Sequence, residues 1–333
     1  MPNLSSRNIG PFKVFSVGFG CMNISHAYGT PPPPDEAEQL LEEAFARGVN
    51  FFDTAALYGF GSNEELLARS FLKKHRQQIV LASKGGMAGV DGKRVINGRP
   101  EAIRKNCEDS LRRLQTDVID LYYLHRVDKS VPIEDSVGEM SRLVNEGKIQ
   151  TIGLSEASSA SIQRAHAIHP ITALQTEYSL WTRNPEISVL KTCEQLGIHF
   201  VAFSPVARGY LGGRLNDVSK FEEKDIRRAM PRFYPENYPK NLELLDQVRE
   251  IAMNLGQPIA TVAIAWLLNR SENITPIPGT TKVAHLIENI AAANLELDAS
   301  TMQALDEILN QHTVVGTRYN PATQAEIDTE EFN

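Results

Sequence analysis

Short apolar runs alternate with helical stripes along the whole chain. The runs at 15–19, 50–54, 79–84, 119–125, 151–155, 173–176, 199–204 and 274–277 are mostly continuously apolar rather than alternating. That is the pattern of parallel strands covered by helices on their outer faces. Between them, Ala37, Leu40, Leu41, Ala44 and Phe45 recur on one helical face, with Gly48 as a stop just beyond. Further stripes are Ile103, Cys107, Leu111 and Leu114; Val137, Met140 and Val144, ended by Gly147; and Leu242, Leu245, Val248 and Leu255. Asp35, Ser158 and Asn184 stand where helix N-caps are expected.

Eight strand-helix units fit either a doubly wound sheet or a closed (β/α)8 barrel. Asp53, Lys84, His125, Ser155, Gln175 and Ser204 all fall at C-terminal strand ends, which converge on one mouth only in a barrel. With no linker dividing the chain, the expectation is one TIM-barrel domain over 1–333, with its core at about 12–310 and a tail at 311–333. A hairpin before Phe15 is expected to close the bottom, and extra helices to follow near the C-terminus. The interval from Ser204 to Ile277 is 73 residues, and its loop at 208–240 reads as a cover over the mouth. Pro31 to Pro34 form a stiff lead-in to the first helix, and the acidic stretch after about Pro321 reads as mobile.

Composition narrows the function. With a net charge of -7 and scattered Lys and Arg, nothing suggests a nucleic-acid or membrane partner. No apolar run approaches the roughly 18 residues of a bilayer span, and 1–10 lack a signal-peptide core, so a cytoplasmic protein is expected. Cys21, Cys107 and Cys193 are odd in number and far apart, which argues against disulfides and a Cys-rich zinc site. No metal is expected.

The chemistry concentrates on three successive strand ends. Asp53 and Tyr58 lie five residues apart, Lys84 ends the next strand, and His125 the one after. Neighbouring strands are about 4.8 Å apart, so the four side chains share one small volume. A lysine ammonium beside a tyrosine favours phenolate, an aspartate holds the ammonium, and a neutral histidine can orient a carbonyl oxygen. Tyr58 could then protonate a developing alkoxide. Each residue alone is unremarkable; their joint placement carries the reading.

This pattern resembles the aldo-keto reductase family over almost the whole chain. The resemblance rests on Gly18-Phe19-Gly20-Cys21-Met22, the tetrad, Leu124-His125-Arg126-Val127-Asp128 and Glu146-Gly147-Lys148-Ile149. It continues in Ile152-Gly153-Leu154-Ser155, Leu174-Gln175-Thr176-Glu177-Tyr178-Ser179 and Phe203-Ser204-Pro205. Around Ser155 and Trp181 the wording is similar to the branch holding perakine-reductase-like and general aldehyde-reducing members.

The resemblance implies NADPH-dependent reduction of an aldehyde or ketone, with Tyr58 as general acid. It implies that Ser155 and Gln175 bind the nicotinamide carboxamide and that Phe203 stacks on the ring. Ser204, Pro205, Val206 and Gly209 would follow the pyrophosphate, and Gly20, Met22, Asp53 and Leu211 would also touch the cofactor. Pro278, Gly279, Thr280, Lys282, His285, Glu288 and Asn289 would hold the adenosine end, at a helix N-terminus that favours phosphate. Two positions depart from the family pattern: Glu156 stands where many members have Asn, and His285 where many have Arg. Tyr28, Met87 and Trp181 are candidates for contact with the small-molecule substrate. The alternatives are a non-catalytic nicotinamide-binding sensor or channel-associated subunit on the same fold and, more remotely, a metal-dependent barrel hydrolase.

Overall fold

A computed structural model describes residues 6–90 and 93–332. Strands β1 (Ser6–Ile9) and β2 (Phe12–Phe15) pair as the expected antiparallel hairpin. The parallel sheet follows: β3 (Phe19–Gly20), β4 (Phe51–Asp53) and β5 (Val80–Gly85), then a second hairpin of β6 (Met87–Val90) and β7 (Lys93–Ile96). It resumes with β8 (Ile119–Leu124), β9 (Ile149–Ser155), β10 (Ile171–Glu177), β11 (His199–Phe203) and β12 (Ile274–Pro276). The eight parallel strands lie side by side in chain order. Their two ends meet where Gly18 N donates to Pro276 O at 2.9 Å and Gly20 N to Pro278 O at 3.3 Å. A Cβ on Gly20 would stand 2.7 Å from Ile277 O, so the seam needs glycine there.

Alternation along the strands sorts the apolar residues into two cores. Phe51, Val80, Ala82, Leu121, Tyr123, Ala173, Val201 and Ile277 fill the barrel, and Ile9 and Val14 of the first hairpin plug its bottom. Phe52, Leu81, Tyr122, Ile152, Leu174 and Phe200 point outward against the helices. The helix Ile259–Arg270 is apolar all round because it is buried all round. Among the described residues, no single helix is long and apolar enough to cross a membrane.

Four sequence expectations change. The run at 15–19 is not one strand: Phe15 ends the bottom hairpin and Phe19 begins the barrel. Asp35 lies inside the first turn of the helix Pro34–Ala46, whose start is set by Pro33 and Pro34. Asn184 opens a 3-10 turn, and its side chain donates to Glu330 O instead of capping a helix.

The acidic tail is packed rather than loose. Asp328 Oδ2 accepts from Ser158 N (2.9 Å) and Glu330 Oε1 from Ser159 N (2.8 Å), so both acids cover the N-terminus of the helix Ser159–Ile168. Free N–H groups and the positive helix end draw carboxylates there, which explains the acidic composition. Ser158 is the N-cap as expected, accepting from Ser161 N.

Candidate active site

Backbone pairing assembles the four tetrad residues. Asp53 pairs with Ala82 across β4 and β5, and Lys84 with Tyr123 across β5 and β8. His125 lies just past β8 and continues the ladder by donating its N–H to Gly85 O at 2.8 Å. Tyr58 comes from the loop after β4, in the 3-10 segment Tyr58–Gly61, where Gly59, Phe60 and Gly61 all have positive φ. Buried Asn63 fixes that loop: its Oδ1 accepts from Thr54 Oγ1 at 2.6 Å and its Nδ2 donates to Cys21 O at 2.8 Å.

Lys84 is fully buried at the centre. Its Nζ donates to Asp53 Oδ1 (2.5 Å), Thr54 O (2.9 Å) and Tyr58 OH (3.1 Å). The other Asp53 oxygen accepts from Gln175 Nε2 at 2.8 Å. The Tyr58 and His125 rings meet edge-on with centroids 6.0 Å apart.

Burial and charge set the protonation states. Burial works against the Lys84 ammonium, but Asp53 and Tyr58 outweigh it and hold its pKa above the ordinary lysine value. Burial lifts the Asp53 carboxyl above its usual range despite Lys84 and Gln175. It also lifts the Tyr58 phenol, against the pull of Lys84, so the net direction is opposite to the lowering that the sequence suggested. His125 is driven well below the ordinary imidazole value by burial, then by Arg126 and Lys84, and is neutral at pH 7.

The tetrad opens into one long cleft of about 640 Å³ at the C-terminal ends of the strands. Of the expected cofactor residues, Gly20, Met22, Asp53, Ser155, Gln175, Phe203, Ser204, Pro205, Val206 and Gly209 line it. At its far end so do Gly279, Thr280, His285, Glu288 and Asn289. Leu211 and Pro278 lie behind the lining: Leu211 is in the core, and Pro278 accepts the seam hydrogen bond. Lys282 is exposed and precedes the helix Val283–Ala291, close enough that its charge depresses His285. Tyr28 and Met87 line the cleft. Trp181 does not: it is buried, stacked on Tyr210 at 4.1 Å and packed against Phe233.

The lining suits an extended polyanionic cofactor. After β11, Ser204, Ala207, Arg208 and Gly209 take positive φ and wind the chain into a tight loop along the cleft, held by Ala207 N donating to Ser204 O at 2.8 Å and Gly209 N to Val206 O at 3.0 Å. No side chain caps the helix Val283–Ala291, so its first N–H groups remain open to a phosphate. Arg214 supplies a cation that sequence reasoning missed, held across the cleft by Glu288 at 2.6 Å.

Glu156 faces away from the cleft. Its carboxylate accepts from Arg318 at 2.6 and 2.8 Å, from Glu177 N at 3.0 Å and from Thr329 Oγ1 at 2.9 Å. Arg318 also reaches Glu177 at 3.1 Å, and Arg208 reaches Glu177 at 2.5 Å. This buried network fastens the C-terminal segment, whose Tyr319, Asn320, Thr323 and Glu326 form one wall of the cleft. The β6–β7 hairpin adds Arg94 to the opposite rim. Neither wall carried a recognisable motif.

A parallel eight-stranded barrel with a Tyr, Lys, Asp and His cluster beneath a cofactor-sized cleft is the architecture of a TIM-barrel oxidoreductase. Comparison with known proteins makes the class specific. The model of the Aldo/keto reductase family matches residues 16–310. A Glycine max protein named probable aldo-keto reductase 1 is 43% identical over 311 residues, covering 92% of this chain and 89% of its own. The glycerol dehydrogenase of Gluconobacter oxydans superposes with a TM-score of 0.84 at 28% identity, covering 96% of this chain and 98% of that one. An aldo-keto reductase from Bacillus halodurans, solved in its holo form, gives 0.77 at 28% identity, covering 92% and 97%. The chain belongs to the aldo/keto reductase family and is an NADP-dependent oxidoreductase.

Proposed function

We propose that the protein reduces an aldehyde or ketone to the alcohol with NADPH, in the cytosol, with Tyr58 giving the proton to the carbonyl oxygen. The observation that carries this is the Tyr58 hydroxyl 3.1 Å from a buried ammonium that Asp53 holds at 2.5 Å. When bound, the cofactor supplies the hydride.

Everything else falls to the chain. His125, neutral and with its Nδ1 buried and unpartnered, would use Nε2 to bond the carbonyl oxygen and steer it toward Tyr58. A phenol raised above its ordinary value is fully protonated at neutral pH, as a proton donor must be. Donation runs downhill because an alkoxide is more basic than a phenolate. The phenolate left behind stands beside the Lys84 ammonium, already in place and already charged. Ser155 and Gln175 would orient the carboxamide, Phe203 would pack on the ring, and Tyr28 and Met87 would meet the substrate.

The test is NADPH consumption with a panel of aldehydes and ketones. Tyr58→Phe should lose at least about 10²-fold in kcat, the low end of general acid catalysis. Its NADPH affinity, read by fluorescence titration, should stay close to that of the parent protein. Full activity in the pure variant removes Tyr58 from this role. Turnover with no substrate in the parent protein favours a nicotinamide-binding sensor.

A further inference from the structure

Among the described residues, the charged side chains that line the cleft are held in ion pairs, with one exception. Asp53 is held by Lys84 at 2.5 Å, Arg208 by Glu177 at 2.5 Å, Arg214 by Glu288 at 2.6 Å and Arg227 by Asp225 at 2.6 Å. Arg94 pairs with Glu326 across the rim. Arg126 lines the same cleft, half-buried, and no carboxylate among the described residues pairs with it.

Arg126 is not loose. Its Nη1 donates to His125 O at 2.6 Å and to Ser155 Oγ at 3.2 Å, which fixes the guanidinium between the ends of β8 and β9. Its remaining N–H groups have no acceptor among the described residues and open on the cleft. The charge is close enough to act on both Tyr58 and His125. It lines the same cleft as both, in the chamber where a reacting carbonyl would sit.

We propose that Arg126 is an anion subsite for the substrate, and that the preferred substrates are carbonyl compounds carrying a carboxylate a few bonds from the aldehyde or keto carbon. The Glu156 carboxylate feels the Arg126 charge but is held by Arg318, so the half-buried guanidinium has no carboxylate in direct contact, and an incoming carboxylate would supply one. The planar fork matches a carboxylate in both spacing and charge. The carboxylate takes no part in bond making. The carbonyl carbon gains a hydride from NADPH and its oxygen the Tyr58 proton, giving the hydroxy acid and NADP+. This inference rests on the carbonyl-reduction reading above.

The experiment compares 2-, 3- and 4-carboxybenzaldehyde with their methyl esters. In the parent protein the kcat/KM ratio of acid to ester should exceed about 10 for at least one isomer. The acid's KM should rise with added salt while the ester's does not. Arg126→Gln should collapse the ratio by about 10- to 100-fold, and Arg126→Lys, which keeps the charge without the fork, should retain part of it. A loss shared equally by acid and ester leaves the ratio intact and overturns the proposal, because Arg126 would then act through Ser155 or Tyr58. A ratio near one for every isomer in the parent protein overturns it as well, while ester turnover would leave carbonyl reduction standing. No turnover of any acid or ester overturns this proposal, and the panel of aldehydes and ketones then decides carbonyl reduction separately.

Discussion

Two sets of buried charges flank the cleft, and they do opposite things with the same chemistry. On one side, Lys84 and Asp53 pair in the barrel interior, and Lys84 directs its third bond to a phenol that opens on the cleft. On the other, Glu156, Glu177, Arg208 and Arg318 satisfy one another, with Tyr319 and Thr329 taking up further valences. The first set leaves a titratable hydroxyl facing the cleft. The second mostly consumes its hydrogen-bonding capacity in fastening the C-terminal segment to β9 and β10. Buried charge alone does not mark catalysis; what matters is whether a group remains to be shared with a ligand.

The largest expected effects fall on the first set. Lys84→Met should lower kcat at least about 10²-fold, because the phenolate loses its counter-charge. It should also destabilise the fold by about 3–5 kcal/mol, since Asp53 is left buried and unpaired. If Lys84→Met kept its activity, the contrast between the two sets would collapse. Arg318→Met should cost a similar 3–5 kcal/mol, but with kcat falling less than about tenfold. Its signature is local: limited proteolysis should cut in 317–330, and Glu156→Gln in the same chain should restore part of the lost stability. A kcat loss as deep as that of Lys84→Met would make the second set catalytic.

A smaller effect is expected at the far end of the cleft. Lys282→Ala or Arg214→Ala should reduce the preference for NADPH over NADH about tenfold, one charge-assisted hydrogen bond. Titrating both cofactors by fluorescence tests this, and an equal loss for both removes the residue from the 2′-phosphate. Burial, Arg214 and Lys282 lower the His285 pKa, so any gain in preference from its protonation should come only below about pH 6.5.

The barrel and the tetrad were legible because each rests on local, repeated rules. Parallel strands read as apolar runs, and a polar residue closing a run falls at the mouth, as Asp53, Lys84 and His125 do. The C-terminal wall was not legible. Its acids look like a solvated tail, and only the fold brings Asp328 and Glu330 to the helix N-terminus at Ser159. Glu156 read only as a departure from the family's Asn, whereas its partner Arg318 lies 162 residues away. Trp181 sat in a motif-rich stretch, yet its ring completes an aromatic stack with Tyr210 and Phe233. The direction of the Tyr58 shift was missed because spacing reveals the ammonium but not the depth of burial.

The smallest expected effect separates the two sets by pH. Burial would raise the Glu177 carboxyl, but Arg208, Arg318 and Arg232 outweigh it and hold its pKa at about 2, against 4.5 for a free glutamate. Between those values the unfolded chain binds a proton at this site that the folded chain does not. The stabilisation is therefore complete above about pH 4.5 and is lost as the pH falls toward about 2. Asp53 has the opposite sign: its carboxyl is raised on folding, so acidification relieves an unfavourable charge instead of removing a favourable one. Acid should thus loosen the C-terminal wall before the catalytic pocket. Hydrogen exchange between pH 5 and 3 should show protection falling first around Glu156, Glu177 and Arg318 while β4 and β5 remain protected. Glu177→Gln cannot titrate, so its melting temperature should start lower at pH 7 and fall less steeply through the acid range. Parallel acid limbs for the parent protein and Glu177→Gln would assign the acid sensitivity to other carboxylates and remove this difference between the two sets.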